Sequence, residues 1–386
     1  MKNNPQSEIR NPKSKIRVGV IFGGRSAEHE VSLVSAASII NALDKDKYEI
    51  VPIGITPEGK WLSSALALEY LKRGKKLDNE SAKILLPDPG ATGLVEYGPG
   101  RHISQPKRLD VIFPVLHGSF GEDGTVQGLF ELAGIPYVGS GVLGSAVAMD
   151  KVVAKQLCER QNIPVAPYVW FLSKGYGSRR KQIILSIEKS LRYPCFVKPA
   201  NSGSSVGISK AHNRTELLKA VDLASEYDGK ILVEKSVEHA REIEVSVLGN
   251  DDPIASVPGE IISSNEFYDY DAKYVDGKSR SIIPARLPKN VVKRLQDLAI
   301  RCFQTTECAG MARVDFLVTK KSHKVFFNEI NTIPGFTSIS MYPKLWEASG
   351  MPFPKLLDRL ILLAIERHRE NALLKRTYQP KLQWYK

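Results

Sequence analysis

The feature that most restricts the fold is the alternation of short apolar runs with helical segments near the N-terminus. A strand predicted over Ile16 to Phe22 ends in Gly23-Gly24 and leads into a helix that begins near Ala27. Further elements are predicted at Asp110 to Leu116 (strand), Thr125 to Ala133 (helix) and Ile135 to Val138 (strand). Strands that alternate with helices at this spacing are typical of a parallel sheet with crossover helices. The sequence therefore predicts an α/β fold, with α+β character in the later domains.

The chain of 386 residues is too long for one small core, so two or three domains are expected. The predicted boundaries are a leader over 1–14, a Rossmann-like domain over 15–148, a central domain over 149–236, a C-terminal domain over 237–370 and a basic tail over 371–386. Later predicted elements are a helix over Met149 to Gln161, strands at Cys195 to Lys198, Ile231 to Glu234 and Glu242 to Leu248, a helix over Lys289 to Cys302, a hairpin over Ala312 to Ile330 and a C-terminal helix. The segment 175–181 is predicted to be an exposed loop.

Charge and cysteine usage restrict the class of protein. The formal net charge is +12, but the excess lies mostly at the two ends of the chain, and no basic stripe interleaved with aromatic residues indicates a nucleic-acid interface. No run of apolar residues is long enough to span a bilayer, and the leader lacks the apolar core of a signal peptide. The four cysteines show no metal-site or disulfide spacing and are predicted to be buried thiols, which suits the cytoplasm.

Two glycine patterns imitate nucleotide-binding motifs. The run from Gly54 to Trp61 has nearly the spacing of a P-loop, but Trp61 takes the place of the hydroxyl residue that binds magnesium, so a hairpin turn is predicted. The run from Gly139 to Gly144 matches G-x-G-x-x-G, but no following strand supplies the acidic residue that binds a ribose. A tight turn into a helix is predicted there.

The strongest chemical signal is the predicted hairpin. With Ser322 at the centre of its turn, Asp315 faces Glu329 and Arg313 faces Asn331, and period-two alternation places all four side chains on one face. Two carboxylates directly opposite each other repel, and a divalent cation removes that repulsion. Their oxygen ligands suit magnesium bound together with nucleotide phosphates. The alternative is a solvated polar face, because the pairs depend on the assumed register.

A second signal is Lys198 at the end of a strand, followed by the small-residue loop Ala200 to Gly207. Backbone N–H groups of such a loop can cover phosphates while the lysine counters their charge, although the loop could also be a flexible connection. Glu234-Lys235 ends another strand and could hold the adenine or ribose of a nucleotide.

Together these residues resemble the ATP-grasp superfamily and, within it, the D-alanine–D-alanine ligase family, over about residues 15–362. The motifs that carry the resemblance are Gly23 to Ser32, His117 to Gly124, Met149-Asp150-Lys151, Gly203 to Gly207, Tyr268 to Tyr274 and Asn331 to Ser338. The resemblance implies an ATP-grasp fold behind the Rossmann-like domain.

The resemblance also implies roles for individual residues. Glu28 would hold the ammonium of the first D-alanine, oriented through Ser204 and Tyr274, while Arg313 and the backbone of Gly335 would stabilise the tetrahedral intermediate. Substrate binding would involve His117, Lys273, Ser340, which would receive a carboxylate, and Met341. ATP binding would involve Lys151, Lys198, Ser204, Ser205, Glu234, Lys235, Glu242 and Asn328. Asp315, Glu329 and Asn331 would bind two magnesium or manganese ions.

The implied activity is formation of a peptide bond through an acyl phosphate, since a carboxylate must be activated before an amine can attack it. ATP and D-alanine would be the small-molecule substrates, the product would serve peptidoglycan synthesis, and a homodimer is expected. No nucleic acid and no membrane is expected as a partner. One alternative is another carboxylate–amine ligase of the superfamily with a different amino-acid specificity. Another is an inactive nucleotide-binding or nucleic-acid-binding protein, which the complete set of Arg313, Asp315, Glu329 and Asn331 disfavours.

Overall fold

A computed structural model describes residues 15–62, 67–73, 82–97, 106–262 and 280–378. The predicted leader, the last eight residues of the tail, Lys273 and Tyr274 lie outside these ranges. The described residues form three larger sheets and one small sheet, with helices packed against them. This arrangement confirms the predicted α/β class.

The first sheet is parallel at its centre, as predicted for the N-terminal domain. Its strands are β1 (Ile16–Gly23), β2 (Tyr48–Ile55), β3 (Trp61–Leu62) and β7 (Val111–Val115). They lie in the order β3-β2-β1-β7, and β1 runs parallel to both β2 and β7. The helices in this part of the chain are α1 (His29–Ala42), α2 (Ala67–Lys72), α3 (Thr125–Ala133) and α4 (Val142–Met149). A small antiparallel sheet contains β4 (Ala82–Leu85), β5 (Gly93–Tyr97) and β6 (Lys107–Arg108).

Both glycine patterns that imitate nucleotide-binding motifs are confirmed as turns. The chain from Thr56 to Lys60 connects the antiparallel strands β2 and β3, and the run that begins at Gly139 leads directly into α4. The strand predicted over Ile135 to Val138 is wrong in extent, because only Tyr137 forms a single parallel bridge, to Ile112. Its apolar side chains Ile135, Tyr137 and Val138 are still buried in the core.

The second sheet is antiparallel and belongs to the central segment. Its order is β10-β9-β11-β8, with β8 (Tyr168–Leu172), β9 (Cys195–Pro199), β10 (Ser209–Ala211) and β11 (Lys230–Lys235). The accompanying helices are α5 (Lys151–Arg160), α6 (Tyr176–Ser190) and α7 (Arg214–Tyr227).

One helix prediction and one loop prediction in this segment need correction. The helix predicted over Met149 to Gln161 is broken at Asp150, whose side chain accepts hydrogen bonds from the N–H groups of Val152 and Val153 and so begins α5. The prediction of an exposed loop at 175–181 is wrong, because α6 begins at Tyr176. Tyr176 is buried and stacks on Phe171, so tertiary packing outweighs the loop-like glycine composition.

The third sheet carries the predicted hairpin. It has the order β15-β14-β12-β16-β17, with β13 paired to β12, and contains β12 (Ala240–Gly249), β13 (Ile254–Ala255), β14 (Gly259–Ile262), β15 (Arg280–Ile282), β16 (Gly310–Thr319) and β17 (Val325–Asn331). The remaining helices are α8 (Lys289–Thr305), α9 (Met341–Ala348) and α10 (Phe353–Ala372). Each larger sheet falls inside one predicted domain, while the exact domain boundaries stay predictions.

The cysteines and the helices were also the subject of predictions. All four cysteines are buried and free, as predicted. Among the helices of the described ranges, none combines the length and the apolar character that crossing a bilayer requires.

Candidate active site

Two cavities lie against the hairpin β16–β17. The first, of about 330 Å³, is lined by predicted ATP-binding residues and their neighbours, among them Lys198, Ser205, Glu234, Lys235, Glu242, Asp315 and Asn328. The second, of about 110 Å³, is lined by Glu28, His117, Ser204, Asn331, Gly335, Ser340, Met341 and others. Glu244, Arg313 and Glu329 line both cavities. A group bound in one cavity would therefore meet a group bound in the other at these three side chains.

The hairpin has the functional pairs that were predicted. Arg313 pairs with Asn331 and Asp315 pairs with Glu329 in antiparallel register. Nearer the turn, Phe316 pairs with Phe327, so the uninterrupted register centred on Ser322 is wrong there. A β-bulge between Asp315 and Phe316 absorbs the difference.

The bulge also explains why two consecutive residues of β17 face the cavities. The burial pattern alternates along the strand except at Asn328 and Glu329, which are both half-buried. Asn328 Oδ1 accepts a hydrogen bond from Lys198 Nζ at 3.1 Å, and Glu329 Oε2 lies 3.3 Å from Lys151 Nζ. Two different lysines therefore contact adjacent residues of one strand.

Arg313 holds Asp315 in a bidentate ion pair. Its Nε and Nη2 atoms donate to the two carboxylate oxygens at 2.7 and 2.6 Å, and Nε also lies 3.2 Å from Glu244 Oε2. Burial by itself lowers the pKa of Arg313, but the carboxylates of Asp315 and Glu244 outweigh it and raise that pKa well above its usual value. The guanidinium is therefore a fixed positive charge at the place where the two cavities meet.

Asp315, Glu329 and Asn331 offer hard oxygen ligands on one face of the hairpin, and Asn331 Nδ2 donates to Asp315 Oδ2 at 3.2 Å. Within the described ranges, no group of three or more His, Cys, Asp or Glu residues is placed to hold a metal ion by itself. Magnesium usually uses one or two carboxylates and completes its shell with water and phosphate oxygens. The donor set fits magnesium bound together with a nucleotide, and does not fit a site built from the protein alone.

Three residues at the first cavity form a buried ionic cluster. Glu234 Oε2 accepts from Lys198 Nζ at 2.7 Å, and Glu234 Oε1 lies 2.6 Å from Nζ of Lys155. Burial lowers the pKa of Lys198, but Glu234 outweighs this and the pKa is raised. Lys155 was not among the residues predicted from the sequence, although its position four residues after Lys151 places both lysines on one face of α5.

Glu28 is held at the second cavity by a contact between the N-terminal and central segments. Ser204 Oγ donates a hydrogen bond to Glu28 Oε1. A Cβ atom built on Gly203 would lie 2.5 Å from Glu28 Oε2, so the carboxylate occupies the space that a side chain at 203 would need. Glu28 is buried, with an exposed fraction of 8%, and it lines the second cavity. A ligand would therefore reach its carboxylate from that cavity.

His117, Gly335 and Ser340 line the same cavity, and hydrogen bonds hold the side chains of His117 and Ser340 in place. His117 Nδ1 is 2.9 Å from Ile333 O, and its Nε2 is 3.2 Å from Ser35 Oγ. Burial, as the main cause, lowers the pKa of His117, which favours the neutral imidazole. Ser340 precedes α9 and its Oγ accepts from the backbone N–H of Thr337 at 3.0 Å.

Glu122 is a second site residue that was not predicted from the sequence. Its two carboxylate oxygens accept from the backbone N–H groups of Gly118 at 2.8 Å and Ile333 at 2.9 Å, so it connects the first and third sheets. Burial, followed by repulsion from Glu28, raises the pKa of Glu122 to about 8, although both N–H bonds oppose that shift. Its place in the motif His117 to Gly124 was the available signal.

This carboxyl predicts a pH dependence of stability. Folding raises its pKa from 4.5 to about 8, so the folded protein holds a proton that the unfolded chain releases between those values. The group therefore lowers the free energy of unfolding as the pH rises through that window, by up to about 1.4 kcal/mol per pH unit. We therefore expect the stability of Glu122→Gln, relative to that of the parent, to increase as the pH rises from about 5 to about 8. Urea unfolding at several pH values measures this difference. The exposed Glu226→Gln should show no such trend, and parallel curves for Glu122→Gln and the parent would contradict the assignment.

Most predicted site residues thus lie at the two cavities. Lys151 contacts Ser202 O at 2.7 Å and Glu329, and so lies between the small-residue loop and the hairpin. Ser204 and Ser205 both have positive φ values, of 46° and 61°, which keep this loop in a left-handed conformation next to the first cavity. Lys273 and Tyr274 lie outside the described ranges.

Comparisons with known proteins agree with this geometry. Residues 17–140 match the family model "D-ala D-ala ligase N-terminus" and residues 157–362 match "D-ala D-ala ligase C-terminus". The D-alanine–D-alanine ligase of Natranaerobius thermophilus is 53% identical over 357 residues, which cover 92% of this chain and 97% of that protein. The D-alanine–D-alanine ligase of Coxiella burnetii has a similar solved structure, with a TM-score of 0.79, 39% identity, and coverage of 93% of this chain and 96% of that one. The structure of VanG D-Ala:D-Ser ligase from Enterococcus faecalis also has a TM-score of 0.79, with 38% identity and coverage of 91% and 100%.

Proposed function

The chain belongs to the D-alanine–D-alanine ligase family, and from this premise we propose that it joins two D-alanine molecules at the expense of ATP. The reaction forms D-alanyl-D-alanine, ADP and phosphate and supplies a precursor of peptidoglycan. The observation that carries the proposal is the pair of cavities that meet at Glu244, Arg313 and Glu329. One cavity is lined by lysines that suit phosphates, and the other by a carboxylate that suits an ammonium group.

The chemistry divides into two steps. The carboxylate of the first D-alanine attacks the γ-phosphorus of ATP, so that a bond forms from carboxylate oxygen to phosphorus and ADP leaves. The amine of the second D-alanine then attacks the acyl carbon, phosphate leaves, and the amine loses its proton. Both steps concentrate negative charge between the cavities, which is where Arg313 lies.

We assign individual roles from position, except for Lys273 and Tyr274, whose roles rest on the family resemblance alone. Glu28 pairs with the ammonium of the first D-alanine and is held by Ser204, and His117 lines the same site. The family implies that Tyr274 helps to orient Glu28 and that Lys273 belongs to the substrate site. Ser340, next to Met341, receives a substrate carboxylate, and the backbone N–H of Gly335 supports the tetrahedral intermediate beside Arg313. Phosphates contact Lys151, Lys198 and the loop at Ser204 and Ser205, while the nucleoside contacts Glu234, Lys235 and Glu242, with Asn328 beside Lys198.

Asp315, Glu329 and Asn331 would hold the two magnesium or manganese ions of the proposed enzyme. When bound, such ions neutralise phosphate charge and polarise the phosphoryl group that is transferred. The chain itself supplies the fixed charge of Arg313 and the lysines that orient the nucleotide. The loop that carries Ser204 and Ser205 lines both cavities, and in the proposed enzyme it would keep water from the acyl phosphate.

The test is release of ADP from ATP and magnesium with D-alanine as the sole amino acid. We expect turnover with D-alanine and none with L-alanine, and formation of the dipeptide. The likeness to a structure described as a D-Ala:D-Ser ligase makes D-serine, added with D-alanine, the informative third arm. Preferential formation of the mixed dipeptide would replace the proposed specificity by the alternative one, and absence of ADP release in every arm would overturn the proposal.

Gly203 provides a test of the ammonium site. In Gly203→Ala the new Cβ atom competes with Glu28 Oε2, which lies 2.5 Å from its position, so the carboxylate must move away from Ser204. We expect the KM for the first D-alanine to rise about tenfold, as for loss of one charge-assisted contact, with little change in the KM for ATP. The matched control is Gly128→Ala, where a Cβ atom meets nothing within 4 Å. An unchanged KM for D-alanine in Gly203→Ala would contradict the role of Glu28.

The assembly and location of the enzyme are also proposed. Leu132 and Leu143, on the neighbouring helices α3 and α4, are 63% and 61% exposed, which supports a homodimer formed through this part of the molecule. Light scattering coupled to size-exclusion chromatography measures the mass directly. The proposed site of action is the cytoplasm, where ATP and the precursors occur together, and neither a nucleic acid nor a membrane takes part in the proposed reaction.

A further inference from the structure

Lys155 is a buried lysine with no access to either substrate. It lies on α5, its exposed fraction is 0%, and its Nζ atom is 2.6 Å from Glu234 Oε1 and 3.3 Å from Phe327 O. A buried ammonium is costly, so it persists only where an opposite charge and hydrogen bonds compensate it. Glu234 provides that charge here.

Glu234, however, is shared between two lysines. Its Oε2 atom accepts from Lys198 Nζ at 2.7 Å, and Lys198 lines the cavity assigned to the nucleotide. The cluster of Lys155, Glu234 and Lys198 thus has two cations for one anion. If Lys155 were neutral, Glu234 would cancel the charge of Lys198, and the electrostatic attraction of this group for a phosphate would be lost.

We propose that Lys155 is a positioning residue for nucleotide binding, which offsets the charge of Glu234 so that the ammonium of Lys198 acts on the phosphates. Lys155 acts through Glu234 and touches no substrate. The inference rests on the proposed function only in that a nucleotide occupies the first cavity. Glu242 and Glu329 also lie near Lys198, but they are the same in every variant considered below.

A purely structural ion pair would behave differently from this arrangement. If Lys155 serves only to hold α5 against β11, its loss weakens the binding of any ligand in the cavity to a similar extent. If it sets the charge around Lys198, its loss weakens the binding of ADP and spares that of adenosine, which has no phosphate. The informative quantity is therefore the ratio of the Kd for adenosine to the Kd for ADP.

The experiment compares four proteins in which the charge of the cluster varies: the parent, Lys155→Met, Glu234→Gln and the double variant. Their cluster charges are plus one, zero, plus two and plus one, respectively. Calorimetric titration with adenosine and with ADP, at one magnesium concentration, gives the ratio for each. We expect Lys155→Met to lower the ratio by about tenfold, the double variant to return it to within about threefold of the parent, and Glu234→Gln to exceed both the parent and the double variant. Lys189→Met, an exposed lysine of α6, is the control for net charge and should leave the ratio unchanged.

A parent-like ratio in Lys155→Met, or a double variant that remains as low as Lys155→Met, would overturn the inference. Should Lys155→Met fail to fold by circular dichroism, the ratio must still fall from Glu234→Gln to the double variant, and equal ratios there would overturn it. Turnover of D-alanine by the parent is measured separately. A parent that follows the binding series without forming the dipeptide would contradict the proposed function and leave the role of Lys155 intact.

Discussion

Replacing Glu329 with glutamine is expected to lower kcat for D-alanine-dependent ADP release by about a thousandfold or more, the order of effect seen when charge stabilisation at a reacting phosphoryl group is lost. Glu329 lies directly opposite Asp315, lines both cavities, and is 3.3 Å from Lys151. The amide keeps the shape of the side chain but removes the charge that a magnesium ion requires. Because the carboxylate is half-buried, the melting temperature should change little.

The matched control is Glu347→Gln on α9, an exposed glutamate that lines neither cavity. It should retain the kcat and the melting temperature of the parent. Raising the magnesium concentration should restore little activity to Glu329→Gln, because the lost charge acts on the phosphoryl group as well as on metal affinity. Activity close to that of the parent would show that the metal-binding role belongs to other residues.

Replacing Arg313 with lysine is expected to lower kcat by about a hundredfold, even though the positive charge is kept. Only a guanidinium can donate from two nitrogen atoms to both oxygens of Asp315 at 2.7 and 2.6 Å and also lie 3.2 Å from Glu244. A lysine would pair with one of these carboxylates and leave the other without its partner. The effect should fall on kcat more than on the KM for ATP, since Arg313 lies where the cavities meet and charge develops.

The chain offers a close control for this substitution. Arg241 forms an equally bidentate pair with Glu260, at 2.7 and 2.6 Å, and lines neither cavity. Arg241→Lys should therefore cost some stability and leave kcat nearly unchanged, as measured by thermal unfolding and steady-state kinetics. Equal losses of kcat in the two variants would reduce Arg313 to a structural role.

The sequence was informative where residue type, spacing and period coincide. The alternation along the hairpin predicted which of Arg313, Asp315, Glu329 and Asn331 would pair, and the structure has those pairs. The bulge could not be predicted, because a one-residue irregularity depends on how both strands pack against the core. The pairing survived only because the actual centre of the turn and the bulge shift the register in opposite directions.

Residues whose role depends on buried contacts could not be predicted from the sequence pattern. Lys155 follows Lys151 by four residues and Glu122 lies in the motif His117 to Gly124, but neither signal shows the partners distant in sequence, Glu234 and Ile333, from which their importance comes. The predicted loop at 175–181 failed for a related reason, since glycine and arginine suggested exposure whereas Tyr176 packs against Phe171. Local composition does not report such tertiary contacts.

The bulge in β17 has a consequence for how this site can vary among related enzymes. Asn328 is the supernumerary residue of the strand, so its removal would leave Phe327 facing the core and Glu329 opposite Asp315 in an unbroken ladder. Loss of this single residue would remove the amide group beside Lys198 without turning the carboxylates inward. The bulge therefore lets the amide beside Lys198 change while the proposed metal ligands keep their orientation. In a regular strand, the same one-residue change would turn those ligands to the other face of the sheet.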